Sequence, residues 1–225
     1  MPEGVRRYPD IVPYLGPYLL FLVITAVAGE ISAFAYISYP VRAVLVTAAV
    51  VFFWRAGDYP ELDLKPSVLG IAAGFAGFAL WVLPEGILEP LPKIGGISTF
   101  DPYGAGDEWF LALVALRMAE ASLLVPVFEE LFLRSFLHRW FDAQLEDSDD
   151  WKSIPIGRYK LWAFVGVVVT MAITHHRWLR GGLYSALMCF VLYREKRMGP
   201  VIWAHAITNL ALWIYVLQTG EWYFW

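Results

Sequence analysis

The sequence has little of several things that soluble proteins use. Only 17% of its 225 residues are charged, whereas soluble proteins average about 25%. It contains one cysteine, Cys189, which excludes an intrachain disulfide and a cysteine metal cluster. The net charge is −4 and the basic residues form no stripe, so we expect no nucleic-acid partner. No A-x-A-like site follows the first apolar run, so we expect a retained membrane span there instead of a cleaved signal peptide.

Apolar residues, in contrast, are abundant along the whole chain. They make up 59% of the residues, against about 45–50% in soluble proteins, and they are not gathered in one core. The chain also has 11 tryptophans and 12 tyrosines, which concentrate where lipid headgroups meet hydrocarbon. This composition predicts an integral membrane protein.

Seven apolar segments approach the length of about 20 residues that a membrane-spanning helix needs. They lie near residues 13–29, 36–54, 67–83, 159–174, 181–193 and 201–217, and the fourth in chain order begins near residue 108 and continues past residue 128. Residues 84–107 hold too many prolines and glycines for a helix. The chain has no internal repeat, and we predict a single integral membrane domain over residues 1–225, with a motif-bearing core at about 108–217.

The loops between these segments differ in their basic residues. With seven spans, 11 lysines and arginines fall on one side and 4 on the other. Basic residues accumulate on the cytoplasmic side, so we expect a cytoplasmic N terminus. An eighth span or a re-entrant segment would change the C-terminal part of this assignment.

Two adjacent carboxylates stand in the fourth apolar segment, where a charge at the membrane centre costs about 2.5–3.5 kcal/mol. On a helix, Glu130 and Arg134 are i,i+4 and share a face, whereas Glu129 points about 100° away from Glu130. We expect Arg134 to neutralise Glu130 and Glu129 to face a cavity as a base. The alternative is that the helix has left the membrane and both carboxylates are solvated.

Histidines occur in two further apolar segments. His175 and His176 close the fifth segment, and the alternative is that this pair is merely interfacial. His205 and Asn209 are i,i+4 in the seventh segment and project from one face; the alternative is hydrogen bonding to neighbouring helices. Together with the carboxylates, these residue types point to a polar pocket that activates water directly or through a metal.

The order of these motifs resembles the CAAX-protease and bacteriocin-processing family (CPBP, or Abi) of intramembrane peptidases. Its first motif, Glu-Glu-x-x-x-Arg, is matched by Glu129, Glu130 and Arg134. Its third motif, His-x-x-x-Asn, is matched by His205 and Asn209. The resemblance implies about eight helices, so we expect an all-α, polytopic transmembrane helical bundle of seven to eight spans.

The second motif of that family departs from its pattern here. Phe-x-x-x-His reads with Met171 in the place of the phenylalanine and with His175 at its end. Methionine is a plausible apolar substitute for phenylalanine. The spacing from Met171 favours His175 over His176 as the functional histidine.

The resemblance implies a CAAX prenyl protease-like endopeptidase that cleaves a membrane-associated peptide or protein. It implies that Glu129 activates the attacking water, that His175 and His205 bind the water or a metal, and that Asn209 helps form the oxyanion site. Glu130 and Arg134 take supporting roles.

The resemblance leaves the cofactor, the substrate and the assembly open. Glu129, His175 and His205 would suit Zn²⁺ or another divalent metal, whereas a glutamate-activated water needs no metal. The expected partners are membrane lipid and the membrane-associated substrate, in a bacterial or archaeal cell membrane. Substrate identity, prenyl recognition and oligomeric state stay open.

Two other functions remain as alternatives. A catalytically silent membrane scaffold or immunity protein of the same fold would tolerate replacement of Glu129 and His205. A bis-His haem or proton-conducting protein would use His175 and His205, and its haem form would show a Soret band.

Overall fold

A computed structural model of the chain describes residues 8–31, 34–83, 103–146 and 150–224. All regular elements in these ranges are helices, which confirms the predicted all-α fold. The chain divides into two compact units, Met1–Pro60 and Glu61–Trp225. The single domain over residues 1–225 stays a prediction.

The first unit contains α1 (Val12–Glu30) and α2 (Ser38–Arg55). Polar contacts join its two helices at two levels. The Tyr14 hydroxyl donates to the Asp58 carbonyl at 2.9 Å, and the Tyr8 hydroxyl donates to the Asp58 carboxylate at 2.7 Å. Nη1 of Arg42 in α2 donates to the Thr25 hydroxyl of α1 at 2.7 Å.

The second unit carries all the predicted site residues. Its helices are α3 (Val68–Val82), α4 (Phe110–Ala119), α5 (Val125–Glu130), α6 (His138–Leu145), α7 (Leu161–Ile173), α8 (Trp178–Glu195) and α9 (Met198–Thr219). Two π-helical segments, Glu120–Leu124 and Leu131–Leu137, join α4 to α5 and α5 to α6. Residues Asp107–Gln144 therefore form one helical stretch of 38 residues.

Several of these helices are suited to a membrane. By length and composition, three helices among the described residues can cross a bilayer: Val12–Glu30, Asp107–Gln144 and Met198–Thr219. Two further apolar helices, Val68–Val82 and Leu161–Ile173, are shorter. The total of seven to eight spans stays a prediction, and most of the predicted break at 84–107 lies outside the described residues.

Glycines let α3 lie directly against α9. A Cβ at Gly70 would be 2.5 Å from the Pro200 carbonyl oxygen, and one at Gly74 would be 2.7 Å from the Ile207 Cβ. The Thr208 hydroxyl donates to the Gly74 carbonyl at 2.8 Å. Small residues allow such close approach between membrane helices, and here they bring α3 against the helix of His205.

Replacing Gly70 with alanine is expected to destabilise the second unit by about 1–3 kcal/mol, the usual cost of overpacking. The Gly70→Ala methyl group meets backbone atoms of Pro200, which cannot move aside like a side chain. The matched control is Gly182→Ala, whose Cβ would lie 3.6 Å from that of Ala172, an ordinary contact. Thermal unfolding in detergent micelles measures both, and equal melting temperatures for the two variants would contradict the prediction.

Ion pairs tie the end of α6 to the segment before α7. The guanidinium of Arg158 donates to the Glu146 carboxylate, and Lys160 Nζ lies 3.1 Å from Glu146 Oε1. The hydrogen bond from Arg158, followed by that from Lys160, lowers the pKa of Glu146. Because these side chains are exposed, we expect them to orient the loop more than to stabilise the fold.

Candidate active site

Glu130 is the centre of a buried charge network. Its side chain is fully buried, and Arg134 Nε lies 3.2 Å from Glu130 Oε2. The other carboxylate oxygen, Oε1, lies 2.7 Å from His205 Nδ1. Arg134 Nη2 also donates to the Ser185 hydroxyl at 3.1 Å. A buried ion pair needs such additional hydrogen bonds to offset its desolvation, and these contacts join α5, α8 and α9.

The pairing of Glu130 with Arg134 was predicted from α-helical spacing, but the local backbone is different. Arg134 lies in the π-helical segment Leu131–Leu137. Segments of this kind are rare and occur frequently at functional sites. Sequence reasoning missed both π-helical segments, because a run of five to seven residues leaves no distinct apolar period.

His205 links the two adjacent carboxylates. Its Nδ1 donates to Glu130. The other ring nitrogen, Nε2, lies 4.0 Å from Glu129 Oε2. That distance is too long for a direct hydrogen bond, but one water can lie about 2.8 Å from both atoms. Glu129 is therefore the carboxylate that is free to act on water, whereas Glu130 is committed to Arg134 and His205.

The alternative that both carboxylates are solvated is not supported by this arrangement. The Glu130 side chain is 0% exposed and that of Glu129 is 14% exposed. The helical stretch continues past both residues to Gln144. Both carboxylates therefore lie inside the helix packing, and Glu129 retains limited access.

Asn209 reaches the first of the two π-helical segments. Its Nδ2 donates to the Ala121 carbonyl at 2.7 Å, within Glu120–Leu124. A side-chain amide has two N–H groups, and this bond uses one of them. His205 and Asn209 thus use one face of α9, as their spacing predicts, to contact two different parts of the long helical stretch.

If Asn209 supplies the oxyanion donor that the resemblance implies, replacing it with alanine is expected to lower kcat about 10²–10³-fold, as the loss of one such donor does elsewhere. KM should change little, because the oxyanion forms only after the substrate has bound. The control is Gln218→Ala, which removes an exposed amide from the same helix. A kcat within a few-fold of wild type for Asn209→Ala would remove this residue from the proposed chemistry.

His175 does not lie on a helix. It follows the end of α7 at Ile173, and its Nδ1 is 2.9 Å from the Met171 carbonyl oxygen. Because a carbonyl oxygen only accepts, Nδ1 carries the hydrogen of this bond, and in a neutral ring Nε2 is then the acceptor. The contact uses the Met171 backbone, so methionine in place of phenylalanine does not remove it. The Met171 side chain itself is buried.

Ring contacts connect His175 with His205. The ring centroids of His175 and Trp81 are 5.8 Å apart, those of Trp81 and Tyr184 are 6.2 Å apart, and those of Tyr184 and His205 are 5.6 Å apart. Trp81 and Tyr184 were missed in the sequence. Tyr184 could have been noticed beside Ser185 as a polar pair in an apolar run, whereas nothing local distinguishes Trp81.

The same side chains include the residues that would have to bind a metal ion. Structural and catalytic zinc sites use at least three protein ligands. Among the described residues, no group of three or more His, Cys, Asp or Glu side chains is placed to hold a metal ion. The conditional ligand set Glu129, His175 and His205 is therefore not assembled in this arrangement.

Residues 107–211 match the family described as Type II CAAX prenyl endopeptidase Rce1-like. This part of the chain is similar to that family. The resemblance inferred from the motifs is confirmed, and all six predicted site residues lie within the matched Rce1-like segment. The family and the apolar helices together indicate an integral membrane protein with a CAAX-type intramembrane protease fold. Comparisons with curated proteins and with solved structures found no match.

The contacts within the Rce1-like segment separate supporting residues from the residue that is accessible to water. Glu130 and Arg134 form its buried support, and His205 stands between that support and Glu129. Trp81 contacts His175 from α3, outside the matched residues. Part of the candidate site is therefore built by a helix that the family match does not cover.

Proposed function

We propose that the chain is an intramembrane endopeptidase that uses a Glu129-activated water to cleave a membrane-associated peptide or protein. The observation that carries this proposal is the position of His205, with Nδ1 on Glu130 and Nε2 4.0 Å from Glu129. The two nitrogens of His205 therefore have different partners. A water between Nε2 and Glu129 would be held by the Glu129 carboxylate, acting as the base, and by an imidazole whose orientation Glu130 fixes.

The reaction consumes one water and breaks one C–N bond. Glu129 takes a proton from the water as its oxygen attacks the carbonyl carbon of the scissile peptide bond. The free N–H of Asn209 donates to the oxygen of the tetrahedral intermediate. Glu129 then returns the proton to the nitrogen of the leaving amine as the C–N bond breaks. The products are a carboxylic acid and an amine, which ionise in water to a carboxylate and an ammonium group.

In this proposal, Glu130 and Arg134 orient the groups that react and do not themselves take part in bond breaking. Glu130 holds the His205 ring through Nδ1, in the way that a carboxylate orients a catalytic histidine elsewhere. Arg134 neutralises Glu130, so that the carboxylate orients the ring without acting as a second base. His175 is the second imidazole of the proposed site, and its Nε2 would accept a hydrogen bond from the attacking water. These steps use side chains of this chain alone.

The test is cleavage of a membrane-tethered peptide by the purified protein in lipid vesicles prepared in H₂¹⁸O. Mass spectrometry should find one ¹⁸O atom in the new C-terminal carboxylate, because water supplies one of its oxygens. Glu129→Ala should abolish formation of the cleavage product. Undiminished turnover by this variant would contradict the assignment of Glu129 as the base. Prenylated and unprenylated peptides of one sequence identify the substrate class, and dialysis against a chelator tests for a metal.

The same preparation separates the alternatives. A catalytically silent scaffold would yield no product with any peptide and would keep its phenotype after replacement of Glu129 and His205. The haem alternative predicts a Soret band in the purified protein, and a colourless preparation would remove it.

The orientation in the membrane is part of the proposal. A cytoplasmic N terminus rests on the distribution of basic residues. The bacterial or archaeal cell membrane rests on the family resemblance. Cysteine labelling from either side of intact cells tests the orientation.

A further inference from the structure

His175 needs more support than the other site residues, because no helix holds it. It lies between the end of α7 at Ile173 and the start of α8 at Trp178. Its local hydrogen-bonding groups, the Met171 carbonyl and the Thr174 hydroxyl, are both near Nδ1. These bonds select a tautomer, but they come from one edge of the ring and leave its faces open to contact from other helices.

Trp81 supplies a contact from another helix. It lies in the last turn of α3, and its ring centroid is 5.8 Å from that of His175, at an interplanar angle of 45°. At the start of α8, a Cβ at Gly181 would lie 3.1 Å from the histidine Cβ. The histidine is thus contacted by the indole of α3 and lies close to the backbone at the start of α8.

Trp81 is itself held in place. Nη1 of Arg180, a buried residue next to Gly181, donates to the Trp81 carbonyl at 2.6 Å. That carbonyl belongs to the last turn of α3, where carbonyl groups have no helical partner. A charged donor makes a stronger bond than a neutral one. Arg180 therefore ties the end of α3 to the beginning of α8, the helix that also carries Tyr184.

We propose that Trp81 is a positioning residue that fixes the imidazole of His175, with Arg180 holding the tryptophan backbone in register. This inference rests on the proposed function in assigning His175 to the reaction. Trp81 acts through His175 and takes no part in bond breaking. It lies outside the matched residues 107–211, so this role belongs to the tertiary structure and not to the family motifs.

Kinetics provide the first test. Trp81→Ala should lower kcat about 10–100-fold, because small misplacements of a catalytic group are costly, while KM changes about twofold at most. Trp81→Phe keeps an aromatic ring and should recover most of the lost kcat. The matched control is Phe75→Ala, which removes a 59% exposed ring from the same helix and should leave kcat unchanged.

A second test reads His175 directly, without activity. Diethylpyrocarbonate modifies accessible imidazoles, and peptide mass spectrometry separates the rate at His175 from those at the other histidines. Trp81→Ala should raise the rate at His175 several-fold, Trp81→Phe should return it toward wild type, and His205 should stay unchanged. If Trp81→Ala does not fold, Trp81→Leu replaces it, because leucine keeps apolar volume but has no ring.

The outcomes separate this inference from the proposed function. If turnover depends on Glu129 but Trp81→Ala changes neither kcat nor the modification rate of His175, the inference is overturned and the function stands. If Glu129→Ala retains full turnover, the proposed function fails. A raised modification rate at His175 in Trp81→Ala would then still show that Trp81 restricts the His175 ring.

Discussion

Replacing Glu129 with glutamine is expected to lower kcat about 10²–10⁴-fold, the contribution of a positioned general base. Glutamine keeps the size of the side chain but cannot take a proton from water. The ion pair of Arg134 is made with Glu130 at 3.2 Å, whereas Glu129 faces His205 Nε2 at 4.0 Å. The substitution should therefore leave the melting temperature close to that of wild type. Initial rates with the tethered peptide and thermal unfolding measure the two effects.

The control for Glu129→Gln is Glu108→Gln, an exposed carboxylate at the start of the same helical stretch. It makes the same chemical change without touching the candidate site, so kcat should not move. Glu129→Asp shortens the side chain by one methylene group and should keep part of the activity. Equal rates for Glu129→Gln and Glu108→Gln would show that another group activates the water.

Replacing Arg134 with methionine should destabilise the protein by about 3–5 kcal/mol, because it leaves an unpaired charge in the interior. Glu130 is 0% exposed and would keep only His205 as a partner for its charge. The Ser185 hydroxyl would also lose the donor at 3.1 Å. Reversible unfolding in mixed micelles measures the change, and kcat should fall with it because His205 loses its fixed carboxylate.

The double variant Glu130→Gln/Arg134→Met should recover most of that stability. Removing both members of a buried ion pair is often neutral, whereas removing one is costly. Glutamine still offers an oxygen to His205 Nδ1. The surface control is Arg194→Met, an exposed arginine of α8 whose loss should cost less than about 0.5 kcal/mol. A double variant as unstable as Arg134→Met would mean that the arginine stabilises the fold through contacts other than Glu130.

Much of the helical layout was predictable from residue type along the chain. The segment expected at 201–217 is α9 at Met198–Thr219, and that expected at 159–174 is α7 at Leu161–Ile173. The sixth segment was expected at 181–193 and is longer, at Trp178–Glu195. It was underestimated because Arg180 and Arg194 near its ends read as loop residues, whereas Arg180 is buried against α3.

The candidate site was predictable as a set of residues but not as a set of contacts. Helical spacing correctly paired Glu130 with Arg134. It could not show that His205 would bond to Glu130 instead of Glu129, because that choice depends on how α9 packs against α5. Nor could it show the π-helical segment Leu131–Leu137.

The sequence by itself determined that this is a helical membrane protein with an ordered set of ionisable residues. Segments that are apolar and whose backbone groups hydrogen-bond within the segment are stable in lipid, and both properties are local to the chain. Only the tertiary structure decided which carboxylate stays available for water and which distant side chains join the site. Those decisions depend on the close fit between helices, such as the approach of Gly70 to Pro200 and the contact of Trp81 in α3 with His175. Such fit depends on side-chain shape across helices that are far apart in the sequence.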